Sequence, residues 1–105
     1  MSMHVYRVNE GSTFAPLSRG PVTYQGAALD LSEATVRVRV VQGTESIIAW
    51  DAVNGEGSGD ADGMMEWTIP SGTANGTYRL WWRFERDGEE PCIIGPDTLQ
   101  ILNVP

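Results

Sequence analysis

The chain has 105 residues, the length of one domain, and can bury a core without covalent cross-links. Acidic residues outnumber basic ones 14 to 7, and the formal net charge of −7 argues against nucleic acid as a partner. One cysteine excludes an intrachain disulfide, and no segment approaches the roughly 18 apolar residues of a membrane-spanning helix. We therefore expect a soluble protein of a reducing compartment, without membrane contact or a signal peptide.

Period-2 alternation of apolar and polar residues is the main structural signal along the chain. It predicts strands, in chain order, at residues 4–8, 22–24, 34–41, 46–52, 65–69, 77–86, 92–94 and 98–104. Residues 14–17 are ambiguous because Pro16 removes a backbone donor. Residues 1–19 are interpreted as an extended N-terminal arm of a single domain, 1–105. A helical period is absent beyond one turn at residues 29–33.

The strand at residues 77–86 has the clearest two-sided pattern. Its predicted inward side chains are Tyr78, Leu80, Trp82 and Phe84. The opposite face carries Arg79, Trp81 and Arg83, which puts a large aromatic on the face expected to contact solvent. Two interpretations of Trp81 carry equal weight: a neighbouring segment covers it, or it belongs to an interface, where aromatic and arginine side chains are enriched.

Several short strands joined by glycine-rich turns predict an all-β sandwich or barrel. The spacing Gly76-x-Tyr78-x-Leu80 fits the strand of an immunoglobulin-type sandwich in which a tyrosine anchors a corner. Leu80 stands where many such domains have cysteine. We therefore predict a single immunoglobulin-like antiparallel β-sandwich without a disulfide, with Trp50 inward on its third strand.

The polar segment at residues 54–63 is the best candidate for a metal site. Asp60 and Asp62 have the spacing of the first ligands of a calcium loop, but the next ligand position falls on Met64 and no glutamate closes the loop. We interpret the segment as a flexible, solvated loop, and we predict neither a metal nor a cofactor.

Catalytic chemistry has little support in the sequence. His4 is the single histidine, and Cys92, the single thiol, is predicted to be a small buried apolar residue. The adjacent acids Glu89 and Glu90 lie in a predicted turn rather than a pocket. Neither a nucleophile elbow nor a phosphate-binding glycine motif is present. We predict no catalytic residue and no enzymatic activity.

Residues 28–40, Ala-Leu-Asp-Leu-Ser-Glu-Ala-Thr-Val-Arg-Val-Arg-Val, resemble a pattern of small tailed-phage proteins in which Asp-Leu-Ser/Thr-x-Ala-Thr-Val leads into an alternating strand. The segments Ile69-Pro70, Gly76-Thr77-Tyr78-Arg79 and the closing strand at residues 98–102 agree with it. Over residues 20–105 the chain resembles the immunoglobulin-like domain of the phage baseplate upper protein family. It departs from that family in its acidic, glycine-rich segment at residues 54–63.

This resemblance implies a non-enzymatic structural component of a tailed-phage virion, assembled in the host cytoplasm and present in multiple copies on a symmetric assembly. Its partner would be another virion structural protein, contacted through Trp81, Arg79 and Arg83 or through the edge strand at Val22 and Tyr24. Because the chain is this domain alone, we expect a capsid decoration or cement protein, or a neck or baseplate adaptor. This structural role predicts a basic or apolar complementary surface on the partner.

The alternative is a small carbohydrate- or host-surface-binding module. It predicts that Trp81, together with Trp50 or Trp67, is exposed in one groove beside carboxylates and amides. A third hypothesis, a metal-regulated protein, depends on Asp60 and Asp62 alone.

Overall fold

Ten β-strands and one 3-10 turn account for the secondary structure of residues 4–10 and 16–102, the part of the chain that this computed structural model describes. In chain order they are β1 (Val5–Asn9), β2 (Pro16–Arg19), β3 (Thr23–Tyr24), β4 (Ala27–Ala28), β5 (Thr35–Gln42), β6 (Glu45–Ile48), the 3-10 turn (Val53–Gly55), β7 (Glu56–Gly59), β8 (Met65–Thr68), β9 (Gly76–Glu85) and β10 (Cys92–Leu102). The prediction of an all-β fold is confirmed. Within the described residues there is no helix that could span a membrane.

The longest predicted strands agree with the structure. Residues 4–8, 34–41 and 77–86 lie within one residue of β1, β5 and β9. Residues 92–94 and 98–104, predicted as one strand or a strand pair broken at Gly95-Pro96, form one strand, β10, which continues through an irregularity and is described as far as residue 102.

The ambiguous segment at residues 14–17 overlaps β2, and residues 14 and 15 lie outside the described part of the chain. Within the proposed arm at residues 1–19, the described stretches pair with the sheet as β1 and β2, and residues 1–3 and 11–15 lie outside the description.

Eight strands form one sheet with the order β1-β10-β9-β5-β7-β8-β2, and β6 pairs with β5 beside this path. Neighbouring strands are antiparallel except β1 and β10, which are parallel. β3 and β4 form a separate hairpin. The sheet turns at β7, whose first two residues pair with β5 and whose last two pair with β8.

The sheet is nearly closed because its two end strands approach each other. The Tyr6 hydroxyl on β1 donates a hydrogen bond to the Ser18 carbonyl oxygen on β2 at 3.0 Å. Apolar side chains from both ends of the strand path therefore point into one interior.

The core includes the side chains of β5, β8 and β9 that the alternation predicted to be inward. It comprises Leu17, Leu31, Val36, Val38, Val40, Ile48, Met65, Trp67, Ile69, Tyr78, Leu80, Trp82, Phe84, Leu99 and Ile101. Tyr78, at the start of β9, is buried, and its hydroxyl donates to the Ala74 carbonyl oxygen at 2.6 Å. This bond fastens the loop before β9 to the strand.

Residues 54–63 do not form the flexible loop that the sequence predicted. They include β7 and a tight turn in which the Asp60 carboxylate accepts hydrogen bonds from the backbone N–H groups of Asp62 and Met64, at 2.9 and 3.0 Å. A carboxylate that caps its own turn satisfies local backbone donors. The acidic side chain at Asp60 therefore has a structural role.

Glycine is frequent in β7 because neighbouring backbone lies very close. A Cβ atom on Gly57 would lie 2.5 Å from the Glu66 carbonyl oxygen, and one on Gly59 would lie 2.6 Å from the Leu31 carbonyl oxygen. Alternate glycines thus let β7 pass between its neighbours. Glycine content alone cannot distinguish glycines needed for close packing from glycines in a flexible loop. The loop prediction was wrong for that reason.

Two further predictions are corrected. The strand predicted at residues 46–52 ends at Ile48, so Trp50 lies in the following turn and is not inward on the third sandwich strand. Cys92 begins β10 with its side chain exposed, whereas the sequence predicted a buried thiol. In the case of Trp50 the predicted period continues past Ile48, where the pairing with β5 stops.

The close approach at Gly57 gives a test of the fold. Gly57→Ala should lower the free energy of unfolding by about 2 kcal/mol, because the added methyl group must displace the backbone of β8. Urea denaturation measures this change. Ser58→Ala, at the adjacent exposed position, should change it by less than about 0.5 kcal/mol. Equal effects of the two substitutions would contradict the packing role of glycine.

Closure through Tyr6 gives a pH dependence. Burial, and after it the negative charge of Asp97, raises the pKa of Tyr6 above its ordinary value of 10.0. The folded state therefore retains a proton that the unfolded state loses. Stability from this group is complete below pH 10.0 and falls as the pH rises above it. Burial also raises the pKa of Tyr78, which adds to the decline.

Tyr6→Phe should therefore make the loss of stability above this pH shallower, as measured by urea denaturation across an alkaline pH series. A decline as steep as that of the unmodified chain would show that Tyr6 does not contribute.

Candidate protein-binding face

Arginine side chains gather on the outward face of the sheet. All seven basic residues of the chain are arginines. Arg37 and Arg39 point outward from β5, and Arg79 and Arg83 point outward from the neighbouring β9, as the alternation of buried positions requires. We call the set Arg37, Arg39, Trp50, Arg79, Trp81 and Arg83 the arginine–tryptophan face.

Cross-strand register places like charges opposite each other on this face. Arg37 on β5 is directly opposite Arg83 on β9, and Arg39 is opposite Trp81. Like charges at opposed positions destabilise a sheet. The opposition of Arg37 and Arg83 therefore does not stabilise the sheet.

Trp81 lies at the centre of the face and is half-buried. The guanidinium carbons of Arg39 and Arg79 lie 5.5 and 5.4 Å from the centroid of its ring. Arg79 also donates a hydrogen bond to the Gly43 carbonyl oxygen at 2.9 Å. The side chains that lie over the Trp81 ring are therefore arginines.

The second tryptophan belongs to the same face. The guanidinium carbon of Arg83 lies 5.0 Å from the ring centroid of Trp50, so Arg83 covers Trp50 rather than Trp81. Arg37 lies 3.7 Å from a Glu56 carboxylate oxygen and 3.5 Å from the Trp50 carbonyl oxygen. The sandwich prediction placed Trp50 inward because it extended a strand past Ile48, whereas the carbohydrate-binding alternative had Trp50 at the surface.

A buried carboxylate sets the position of Trp81. β10 is irregular between Ile94 and Asp97, where its register with β9 shifts. The irregular segment packs closely against Trp81. A Cβ atom on Gly95 would lie 3.1 Å from Trp81 Cδ1 and 2.9 Å from the Leu80 carbonyl oxygen. Only glycine leaves room for the indole at this point.

Asp97 holds this segment in place. Its carboxylate is 1% exposed and accepts hydrogen bonds from Arg19 Nε at 2.9 Å, Trp82 Nε1 at 3.1 Å and the His4 backbone N–H at 3.2 Å. These donors come from β2, β9 and the residue preceding β1. With its oxygens bonded in this way, Asp97 has a structural role rather than that of a general base.

Val22 and Tyr24, the other predicted contact residues, lie elsewhere. Tyr24 is 67% exposed at the end of β3, and Val22 precedes that strand and is partly buried. Both line a groove with Phe84 and Cys92. Because Phe84 points to the side of β9 opposite Trp81, the two predicted contact regions do not form one surface.

The described residues form neither a metal site nor a surface that includes Trp67. Among the described residues, no group of three histidine, cysteine, aspartate or glutamate side chains is placed to hold a metal ion. Trp67 is buried in the core, where its indole N–H donates to the Asn54 carbonyl oxygen at 2.8 Å. It is therefore not available to a surface ligand.

Replacing Asp97 tests the buried cluster. Asp97→Asn should lower the free energy of unfolding by about 3 kcal/mol or more, because it leaves the mostly buried Arg19 guanidinium without a counter-charge. It should also change the fluorescence of the tryptophans, since both Trp81 and Trp82 contact this segment. Glu89→Gln is the matched control: it breaks an exposed pair with Arg86 and should leave the free energy of unfolding nearly unchanged. An Asp97→Asn protein as stable as the control would contradict the anchoring role.

No protein-family model, curated protein or solved structure matches this chain. The resemblance to the immunoglobulin-like domain of the phage baseplate upper protein family thus depends on the quoted sequence segments.

Proposed function

We propose that this protein is a non-enzymatic binding domain with an immunoglobulin-like sandwich fold, and that it attaches to another structural protein of a tailed-phage virion through the arginine–tryptophan face. The observation that carries the proposal is the face itself. Four arginines and Trp81 lie on the outward side of two adjacent strands, and Trp50, in the turn after β6, lies against one of these arginines, where the core does not require them.

Strand order supports the sandwich. The order β10-β9-β5-β6 corresponds to one sheet of an immunoglobulin-like domain, and the order β2-β8-β7 corresponds to the other. The hydrogen bond from Tyr78 to Ala74 has the position of the corner tyrosine that many of these domains contain. β7 pairs with both groups of strands and accounts for the nearly closed sheet.

The composition of the face supports protein binding. Tryptophan and arginine are the residues that most often dominate the free energy of protein–protein interfaces. The opposition of Arg37 and Arg83 costs stability, and a cost of this kind is expected where a surface is kept for a partner. The tailed-phage setting comes from the sequence resemblance at residues 28–40 and 69–79, and it makes a virion protein the proposed partner.

A carbohydrate-binding module is the competing function. Trp50 and Trp81 on one face favour it, but arginine guanidinium groups lie against both rings. Stacking of a sugar needs an open ring face, and the third predicted tryptophan, Trp67, is buried. Protein binding is therefore the better supported function.

The test uses purified protein and phage particles that carry its gene, stripped of the endogenous copies. The unmodified protein should rebind at symmetric positions in cryo-electron microscopy maps. Trp81→Ala and Arg79→Ala should each reduce occupancy by about tenfold or more, since loss of a central interface residue costs about 2 kcal/mol. Both sites are on the surface, so the variants should remain folded.

Tyr24→Ala, in the separate groove, is the control and should leave occupancy unchanged. Loss of binding with Tyr24→Ala alone would move the site to that groove. Failure of the unmodified protein to bind particles, with binding to a glycan array, would replace the proposed function by the carbohydrate-binding one.

A further inference from the structure

Charge on this protein is strongly segregated. The net charge is −7, yet five of the seven arginines lie on one side of the sheet: the four of the arginine–tryptophan face and Arg7 on β1. Register places two carboxylates beside them, Glu56 and Glu85. The arginine–tryptophan face therefore carries four arginines, whereas the protein as a whole has a net charge of −7.

The guanidinium groups of Arg39 and Arg83 have N–H donors that are available to a partner. Arg39 and Arg83 lie against Trp81 and Trp50, and within the described residues neither donates a hydrogen bond or pairs with a carboxylate. An arginine has five N–H donors arranged as a planar fork, which suits the two oxygens of a carboxylate. Stacking on an indole restricts the side chain and lowers the entropy lost on binding.

Other partner surfaces fit less well. An apolar surface would bury Arg39 and Arg83 without counter-charges, at a large desolvation cost. A basic surface would add like charges to the face. A protein with a net charge of −7 repels the phosphates of nucleic acid. Bases could not stack on Trp81 or Trp50, because arginine side chains cover both rings.

We infer that the partner surface that docks on the arginine–tryptophan face is a carboxylate-rich patch of another protein. This inference rests on the proposed function and names the chemistry of the partner. It replaces, for this face, the basic or apolar partner surface predicted for a virion structural protein. The negative remainder of the protein repels the same patch from every other side, which selects one binding orientation.

Binding of a short oligo-glutamate peptide tests the inference. Titration should give saturable binding, read from tryptophan fluorescence and by calorimetry, that weakens as salt is raised. Arg39→Gln should raise the Kd roughly tenfold, because it removes one charged, bidentate contact. Arg39→Lys keeps the charge but not the planar fork and should give an intermediate Kd.

Arg86→Gln is the matched control, because Arg86 lies beyond the end of β9 and pairs with Glu89. It should leave the Kd unchanged. Urea denaturation of each variant establishes that the fold is intact. An equal effect of Arg86→Gln and Arg39→Gln, or no saturable binding of the peptide, would overturn the inference. Tighter binding of a thymidine oligonucleotide of the same length would overturn it in favour of nucleic acid.

The two proposals fail separately. If particles bind through Trp81 and Arg79 while the glutamate peptide does not bind, the acidic partner is wrong and the attachment function stands. If the peptide binds through Arg39 while particles do not bind, the carboxylate chemistry stands and the virion assignment is wrong.

Discussion

The structure depends on the hydrogen bonds of one buried carboxylate. A charged group in a protein interior is costly unless its hydrogen-bonding capacity is used, and Asp97 uses it on donors from widely separated parts of the sheet. Arg19 and the backbone of His4 tie the two end strands to β10, next to the point where Tyr6 closes the sheet. Trp82 ties the centre of β9 to the same atoms. Closure of the sheet and the placement of the neighbouring Trp81 therefore share one anchor.

Strands β5, β8 and β9 were predictable because the alternation within each strand identifies it without knowledge of its neighbours. In β5, β8 and β9 every second residue is apolar, and those side chains are buried as expected. Asp97 was not predictable in this way. In sequence it follows Gly-Pro and has the composition of a turn, while its counter-charge, Arg19, is 78 positions away. β7 was missed for a related reason, since its glycines are explained by carbonyl groups of Leu31 and Glu66, which only the folded chain brings near.

The candidate face was partly predictable. The outward position of Trp81 between Arg79 and Arg83 follows from the period of one strand. Arg37 and Arg39 are outward by the same rule on another strand, and pairing β5 with β9 would have predicted a basic patch. What the sequence lacks is the register that puts Arg39 opposite Trp81, and the turn that brings Trp50 under Arg83. The strand register and the position of the turn both depend on where the strands end. Alternation of apolar and polar residues does not show those ends.

The long sequence separations around Asp97 also bear on how the protein is made. His4 and Asp97 are 93 positions apart, so the parallel pairing of β1 with β10 can begin only after almost the whole described chain has been synthesised. Folds dominated by such distant contacts form slowly, because loop-closure entropy is lost before the contacts are gained. While the chain is still growing, Arg19 has no buried counter-charge, and the core lacks Leu99 and Ile101 of β10. The ordered domain thus forms only once β10 has been synthesised, and its early strands remain partly exposed until then.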